Sequence, residues 1–311
     1  MGVDVSKEFL DWARSDQPNT WQLGNDPAGI QRLVGMLRQI QPAYIVVEST
    51  GGLERPLTTA LLEANLPVAL VNPARVRFLA IGLGILAKTD PIDARVLARF
   101  AQLATPRLLE KRPAIQSELD ALVTCRGQLV KSRTEQSNRR QSTLSKSARK
   151  ALDAVLAVLD KQIDKLDRQI RDLIDSDDNW KHLDEIIQSA PGAGAVLAST
   201  LLASVPELGK IEHRQLAALI GVAPFNQDSG RSKGKRAIKG GRADVRSVLY
   251  MATITAMRSN PVIKALGKRL LAAGKLPKVA IVACMHKFLK LLNVMVRENI
   301  TWNQLNLVKN A

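Results

Sequence analysis

Four carboxylates in the first hundred residues, Asp4, Glu48, Asp90 and Asp93, occupy positions from which acids can meet. Asp4 lies in a short apolar stretch, Glu48 closes Tyr44-Ile-Val-Val-Glu48, and Asp90 and Asp93 flank Pro91-Ile92. Acids at strand ends and helix starts can converge on one edge of a sheet although distant in sequence. Three or four of them are what two Mg²⁺ ions need. Hard cations take oxygen ligands, and two ions about 3.5–4 Å apart clamp the attacking and leaving oxygens of a phosphoryl transfer. Taken singly, the acids have plainer readings. Asp90 suits a helix N-cap, with Pro91 at N1 and Asp93 at N3. Asp4 suits a turn before Ser6-Lys7. Glu48 resists such a reading, because an acid following Ile-Val-Val at a strand end is costly unless paired or metal-bound.

A second group lies in the stretch from Pro224 to Arg242, continuing to Arg246. Arg231, Lys233, Lys235, Arg236, Lys239, Arg242 and Arg246 place seven cations within sixteen positions. Glycines among them leave backbone N–H groups open to phosphate, and a helix beginning near Asp244 could receive one at its first turn. Such contact is salt-sensitive and carries little base specificity. Ser229, set before a glycine in that loop, faces phosphate as a nucleophile would; alone, Asp-Ser-Gly also reads as a plain turn. His182, His213 and His286 are scattered and offer the serine no general base. A serine hydroxyl needs activation, and a metal cluster in the first domain could supply it by polarising the scissile phosphate. Ala190-Pro-Gly-Ala-Gly194 resembles a helix-hairpin-helix element, with Gly192 and Gly194 placed to grip a phosphate backbone, or simply a helix start after a Pro-Gly turn.

Elements must position these residues. Strand-like stretches fall at Val3–Val5, Phe9–Ala13, Thr20–Leu23, Tyr44–Val47 and Val68–Val71, and helical periods at Ala28–Ile40, Leu53–Ala64 and Ala74–Leu86. That order predicts a mixed α/β sheet covered by helices. Ser117–Val130 reads as helix and Lys131–Lys150 as a polar, basic stretch. Beyond it, Leu152, Leu156, Leu159, Ile163, Leu166, Ile170 and Leu173 step alternately by four and three, the seam of a coiled coil or long helical hairpin. The remainder is helical, with a helix closing at Leu216–Gly221 and long helices at Asp244–Arg258 and Pro277–Glu298.

Charge divides along the same lines. The 311 residues carry 45 Lys+Arg against 29 Asp+Glu, a net charge of +16. Residues 1–125 are neutral, 126–150 carry +7, 151–190 carry −5 and 191–311 carry +14. Segregated positive blocks are the footprint of a polyphosphate partner. Cys125 and Cys284 stand alone, excluding a disulfide framework or a zinc finger. No signal-peptide pattern opens the chain, and its longest uncharged apolar run, Phe78–Ala87, is well short of a bilayer span. A cytoplasmic protein is expected.

Gly2-Val-Asp-Val-Ser-Lys7, Val47-Glu-Ser-Thr-Gly-Gly52 and Lys88-Thr-Asp-Pro-Ile-Asp-Ala94, in that order and spacing, with Val71-Asn-Pro73, resemble the DEDD-type insertion-sequence transposases, relatives of the Piv and MooV invertases. Only three residues precede Asp4, where relatives usually carry several. The resemblance implies a RuvC-like, RNase H-like α/β first domain (1–110) and a mostly α C-terminal transposase domain (183–311); the seam and basic stretch between them read as a helical coiled-coil arm (111–182) that would self-associate or bind RNA. It implies that Asp4, Glu48, Asp90 and Asp93 hold Mg²⁺, with Mn²⁺ as a substitute. It implies that Ser229 attacks the DNA phosphodiester to form a covalent protein–DNA intermediate. Double-stranded DNA, a bridge RNA in some members, and a homodimer or homotetramer in the active complex are the implied partners, with no membrane and a place on the nucleoid during activity. Two other functions fit the same residues: a Mg²⁺-dependent junction-resolving nuclease that uses water, and a non-catalytic nucleic-acid-binding protein.

Overall fold

The computed structural model describes residues 1–111, 113–226, 234 and 236–305. Ser229, Arg231, Lys233 and Lys235 lie outside the described residues. The chain forms two compact units, Met1–Arg112 and Pro113–Ala311.

The first unit is built on β1 (Gly2–Val5), β2 (Phe9–Ala13), β3 (Thr20–Gly24), β4 (Ile45–Glu48) and β5 (Val68–Val71), with α1 (Pro27–Ile40), α2 (Arg55–Glu63), α3 (Pro73–Gly82) and α4 (Asp90–Ala104). Its five strands run in the order β3-β2-β1-β4-β5. The β1–β2 and β2–β3 pairs are antiparallel, whereas β4 lies parallel to β1 and β5 parallel to β4. This mixed sheet with its helices fits the RNase H-like fold that the resemblance implies.

Alternation along each strand separates two layers. Val3, Val5, Leu10, Trp12, Ile45 and Val47 enter one core with Leu33 and Leu37 of α1 and Leu57 and Leu61 of α2. The alternate residues face α4, whose Val96 and Leu97 share a second core with Val46 and Val71. Gly2 makes that approach possible: a Cβ there would lie 2.2 Å from the Ala98 amide nitrogen and 2.3 Å from the Ala94 carbonyl oxygen. Small residues on α4, Ala94 and Ala98, meet Ala13 of β2 in the same way.

Two expectations shift here. The helix expected over Ala74–Leu86 ends at Gly82, where Gly84 takes a left-handed φ of 77° and breaks it. The cap of α4 is Thr89 rather than Asp90, and no side chain bonds there. Asp90 and Asp93 lie in the first turn, free of the capping role.

The second unit begins with two long helices, α5 (Ala114–Ser142) and α6 (Lys146–Asp175). The polar stretch Lys131–Lys150 is therefore mostly helix, broken over three residues, 143–145. It holds no Gly or Pro to stop it, and three arginines along α5 find aspartates on α6. Arg126 pairs with Asp167, Arg133 with Asp160 and Arg140 with Asp153. The partners advance by seven residues on one helix and retreat by seven on the other, so the helices run antiparallel in heptad register. The leucine and isoleucine seam of α6 lies inward while its flanking residues are exposed.

At the base of this hairpin, Leu119, Ile170 and Ile174 enter one core with residues of α7 (Asp178–Gln188), α8 (Ala195–Ser204), α9 (His213–Ile220), α10 (Ala243–Ser259), α11 (Pro261–Ala272) and α12 (Pro277–Glu298). A boundary at 182/183 would cut through that core. α12 is long and apolar enough to cross a membrane by length and composition, but half of its apolar window is buried inside the protein. Phe288, Leu289 and Leu292 at its centre serve the core.

Candidate active site and nucleic-acid interface

Asp4 is the third residue of β1 and Glu48 the last of β4, its parallel neighbour. By strand alternation both lie on the face that α4 covers, and Asp90 and Asp93 begin α4. The carboxylates therefore gather where two strand ends meet a helix start. Their electrostatics show it. Burial pushes the Asp4 carboxyl up to about 6, with Asp93, Glu48 and Asp90 each adding to the rise and a backbone hydrogen bond from Val5 opposing it. Glu48 is raised mainly by burial, against the pull of Lys88 and with Asp93 adding. Asp93 is raised by burial and by Asp90, against Lys88 and Arg77.

A further acid belongs to this face. Asp11 of β2 stands directly across from Asp4, is buried, and accepts two hydrogen bonds from Gln22 Nε2 at 3.1 and 3.3 Å. Burial raises its carboxyl as well, and Asp90 adds to that. Its sequence signal is an acid in the middle of an apolar strand, Phe9-Leu-Asp-Trp-Ala13. Type and spacing alone give no sign that Lys88 and Arg77 are the cations set against these acids.

Among the described residues, no three Asp, Glu, His or Cys side chains stand close enough to ligate one ion as they lie. The donor set still has the chemistry of a hard-cation site: carboxylate oxygens only, mutually repelling, with Asp4, Glu48 and Asp93 half-buried and Asp90 exposed. Beside it lies a cleft of about 270 Å³ lined by Glu48, Asp93, Arg77 and Lys88 over an apolar floor that includes Val76 and Val96.

In the second unit, the basic stretch is held at both ends. Pro224 and Phe225 form β6, which pairs with β7 (Ala237–Ile238). This two-residue ladder inside an expected loop is too short for periodicity to reveal. After it, Gly240 and Gly241 lie on the end of α9, where Gly221 has a φ of 80°. A Cβ on Gly221 would sit 2.2 Å from the Gly240 carbonyl oxygen, and one on Gly241 2.3 Å from the Gly221 amide nitrogen. Gly221 and Gly241 thus serve close packing, whereas Gly240 faces open space.

Two of the expected DNA-binding cations are engaged internally. Arg242 makes a bidentate pair with Glu207 at 2.7 and 2.9 Å and also donates to the Ser204 carbonyl. Arg246 donates to the carbonyls of Ile220 and Gly240. Arg236 and Lys239 are exposed. Arg242→Ala would leave the buried Glu207 carboxylate without its fork, so we expect a loss of about 2–4 kcal/mol, read as a lower denaturant midpoint. An unchanged midpoint would show that the pair is not structural.

Gly192, with φ of 97°, would bring a Cβ within 2.5 Å of the Ala256 backbone, so helix packing accounts for it; Gly194 is open. His213 and His286 are not scattered but lie edge to face, with ring centroids 6.1 Å apart. His182 bonds the Asn299 side chain at 2.7 Å.

Residues 1–148 match the DEDD-type IS110 family model, described as "Transposase", and residues 184–268 match the "Transposase IS116/IS110/IS902 family". The chain belongs to this family of DEDD transposases. Its relatives include the pilin gene-inverting protein of Moraxella bovis, 29% identical over 96% of each chain. Another is the transposase for insertion sequence element IS1111A of Coxiella burnetii, 24% identical over 75% of this chain and 70% of that one. Among solved structures, Thermus thermophilus RuvC in complex with a Holliday junction substrate is 18% identical, with a TM-score of 0.27 over 35% of this chain and 97% of that one.

Proposed function

We propose that the protein is a DNA transposase or invertase that breaks and rejoins strands through a covalent phosphoserine intermediate. The observation that carries this reading is the gathering of the Asp4, Glu48, Asp90 and Asp93 carboxylates where β1 and β4 meet the start of α4, within a chain that matches transposase models over residues 1–148 and 184–268. In this reading the tetrad holds Mg²⁺, which when bound polarises the scissile phosphate and offsets charge developing on its oxygens. Ser229 Oγ forms a bond to phosphorus as one P–O bond of the DNA strand breaks. The hydroxyl proton leaves the serine, and the released strand end takes up a proton as an alcohol. One phosphodiester is exchanged for another, so the reverse attack by a strand end rejoins DNA without an external energy source.

The exposed cations of the C-terminal unit, Arg236 and Lys239 among them, hold the duplex by its phosphates. The helical hairpin is the element for self-association as a coiled coil, or for docking a guide RNA on its basic end. Functionally the chain then divides in three (1–110, 111–182 and 183–311), with the second and third parts sharing a core. Because each subunit offers one Ser229, joining two duplexes requires at least a dimer.

Incubation with element-end DNA tests the activity: strands should be cut with Mg²⁺ and remain intact with EDTA. Intact strands under both conditions, with DNA binding retained, would favour the non-catalytic alternative.

Metal binding has its own test in stability. The folded-state carboxyl of Asp4, raised to about 6, holds its proton more tightly than the unfolded chain does. The domain is therefore favoured below the unfolded pKa and loses that advantage as pH rises through about 6. A divalent cation counters the repulsion that appears there. Mg²⁺ should raise the melting temperature at pH 7.5 more than at pH 5, measured by calorimetry. Equal shifts at the two pH values would contradict a carboxylate site.

A further inference from the structure

The cleft beside the carboxylates is lined by both signs of charge. Glu48 and Asp93 are on one side of the account, Arg77 and Lys88 on the other, over a floor of small apolar residues. Arg77 comes from the middle of α3 and Lys88 from the segment leading into α4, so the cations reach the cleft from separate elements. Arg77 is tied by one hydrogen bond, Nη2 to the Leu86 carbonyl at 3.0 Å, which fixes α3 against that segment. Its Nη1 is buried without any hydrogen-bond partner. A buried guanidinium nitrogen left unpaired is costly, and Arg77 thus has donors to spare at the wall of a cleft. Lys88 is exposed, and its charge acts on both Glu48 and Asp93, while that of Arg77 acts on Asp93.

We propose that Arg77 and Lys88 form an oxyanion clamp that seats a phosphodiester of the nucleic-acid strand in this cleft, next to the carboxylates. The inference rests on the proposed function of the same site and adds to it the residues that place the phosphate. Without a divalent cation, the two acids face the clamp and weaken it. When the acids turn to a cation, the guanidinium fork and the ammonium keep their charge for phosphate oxygens. Arginine suits such a seat because its planar donors match two oxygens of one phosphate, and lysine adds a point charge. The apolar floor lowers the local dielectric and strengthens both contacts. Arg77 and Lys88 act as positioning residues. They donate hydrogen bonds and exchange no proton with the reacting atoms.

One consequence separates this arrangement from general basic attraction: divalent cation and phosphodiester must bind cooperatively. Removing an acid must imitate the cation. The probe is the dinucleotide thymidylyl-thymidine, a single phosphodiester, titrated into the full chain by isothermal calorimetry in EDTA and in Ca²⁺. We expect Ca²⁺ to tighten binding, and Glu48→Gln in EDTA to tighten it as well. Arg77→Gln and Lys88→Gln should each weaken binding in Ca²⁺ by about tenfold, the worth of one charge-assisted contact. Arg77→Lys, which keeps the charge, should recover part of the loss and serves if Arg77→Gln melts early. Unchanged affinity in both Arg77→Lys and Lys88→Gln would overturn the clamp. A loss in those variants and a tightening by Glu48→Gln, with no effect of Ca²⁺ in any protein, would uphold the clamp and instead overturn the metal reading; a loss with neither effect would reduce the clamp to general basic attraction and overturn it.

Discussion

Glu48→Gln is expected to abolish strand breakage by a factor of about 10³ or more while leaving the protein folded and bound to DNA. Glutamine keeps the shape of the side chain and one acceptor oxygen but loses the charge that a divalent cation requires, and metal stabilisation of a phosphoryl transition state is worth several kcal/mol. The same change should raise the melting temperature in EDTA. Burial and Asp93 together hold the Glu48 carboxyl above its ordinary range, so the ionised side chain opposes folding at neutral pH. A gain in stability paired with a loss of chemistry is the mark of a group kept for function. Gel assays of cleavage and calorimetry of the same preparations read both halves. Cleavage at the unmutated rate would remove Glu48 from the site.

Ser229→Ala gives the second large effect, and it differs in kind. If the serine is the nucleophile, its loss removes the covalent intermediate entirely, while the carboxylates, metal binding and DNA affinity remain. Strand exchange should fall below detection, and Mg²⁺-dependent stabilisation should be unchanged. Residual hydrolysis, should water take the serine's place, would leave free strand ends and no joined product. Single-turnover assays on end-labelled DNA separate these products. Full strand exchange by Ser229→Ala would pass the nucleophile role to another residue.

Much of the fold was legible because period and punctuation were strong. The five strands of the first unit are readable from short apolar stretches, which put Asp4 within β1 and Glu48 at the end of β4. The seam from Leu152 to Leu173 pointed to the long α6, and the Arg–Asp register along α5 and α6 shows why the polar Lys131–Lys150 stretch is helical too. What escaped depended on contacts between distant segments. Asp11 enters the acid cluster only through its pairing with Asp4 across β1 and β2. Arg77 and Lys88 reach the cleft because α3 and α4 pack together, which no local spacing states. In the basic stretch, composition suggested cations for phosphate, yet Arg242 is spent on Glu207 and Arg246 on backbone carbonyls. Residue type names the possible partners of a side chain; only the tertiary fold decides which partner it has. Glycine taught the same lesson, since Gly192, Gly221 and Gly241 answer to close packing.

The central claim is a covalent bond between this chain and DNA, and its most direct measurement is a denaturing gel followed by peptide mapping. Protein, Mg²⁺, labelled element-end DNA and any flanking non-coding RNA are incubated, and the retarded product is isolated, digested and sequenced by mass spectrometry. A nucleotide linked to the peptide that contains Ser229, absent with EDTA, Glu48→Gln or Ser229→Ala, is the predicted result. Strand cleavage without any retarded product, or an adduct mapped to a different residue, would contradict it.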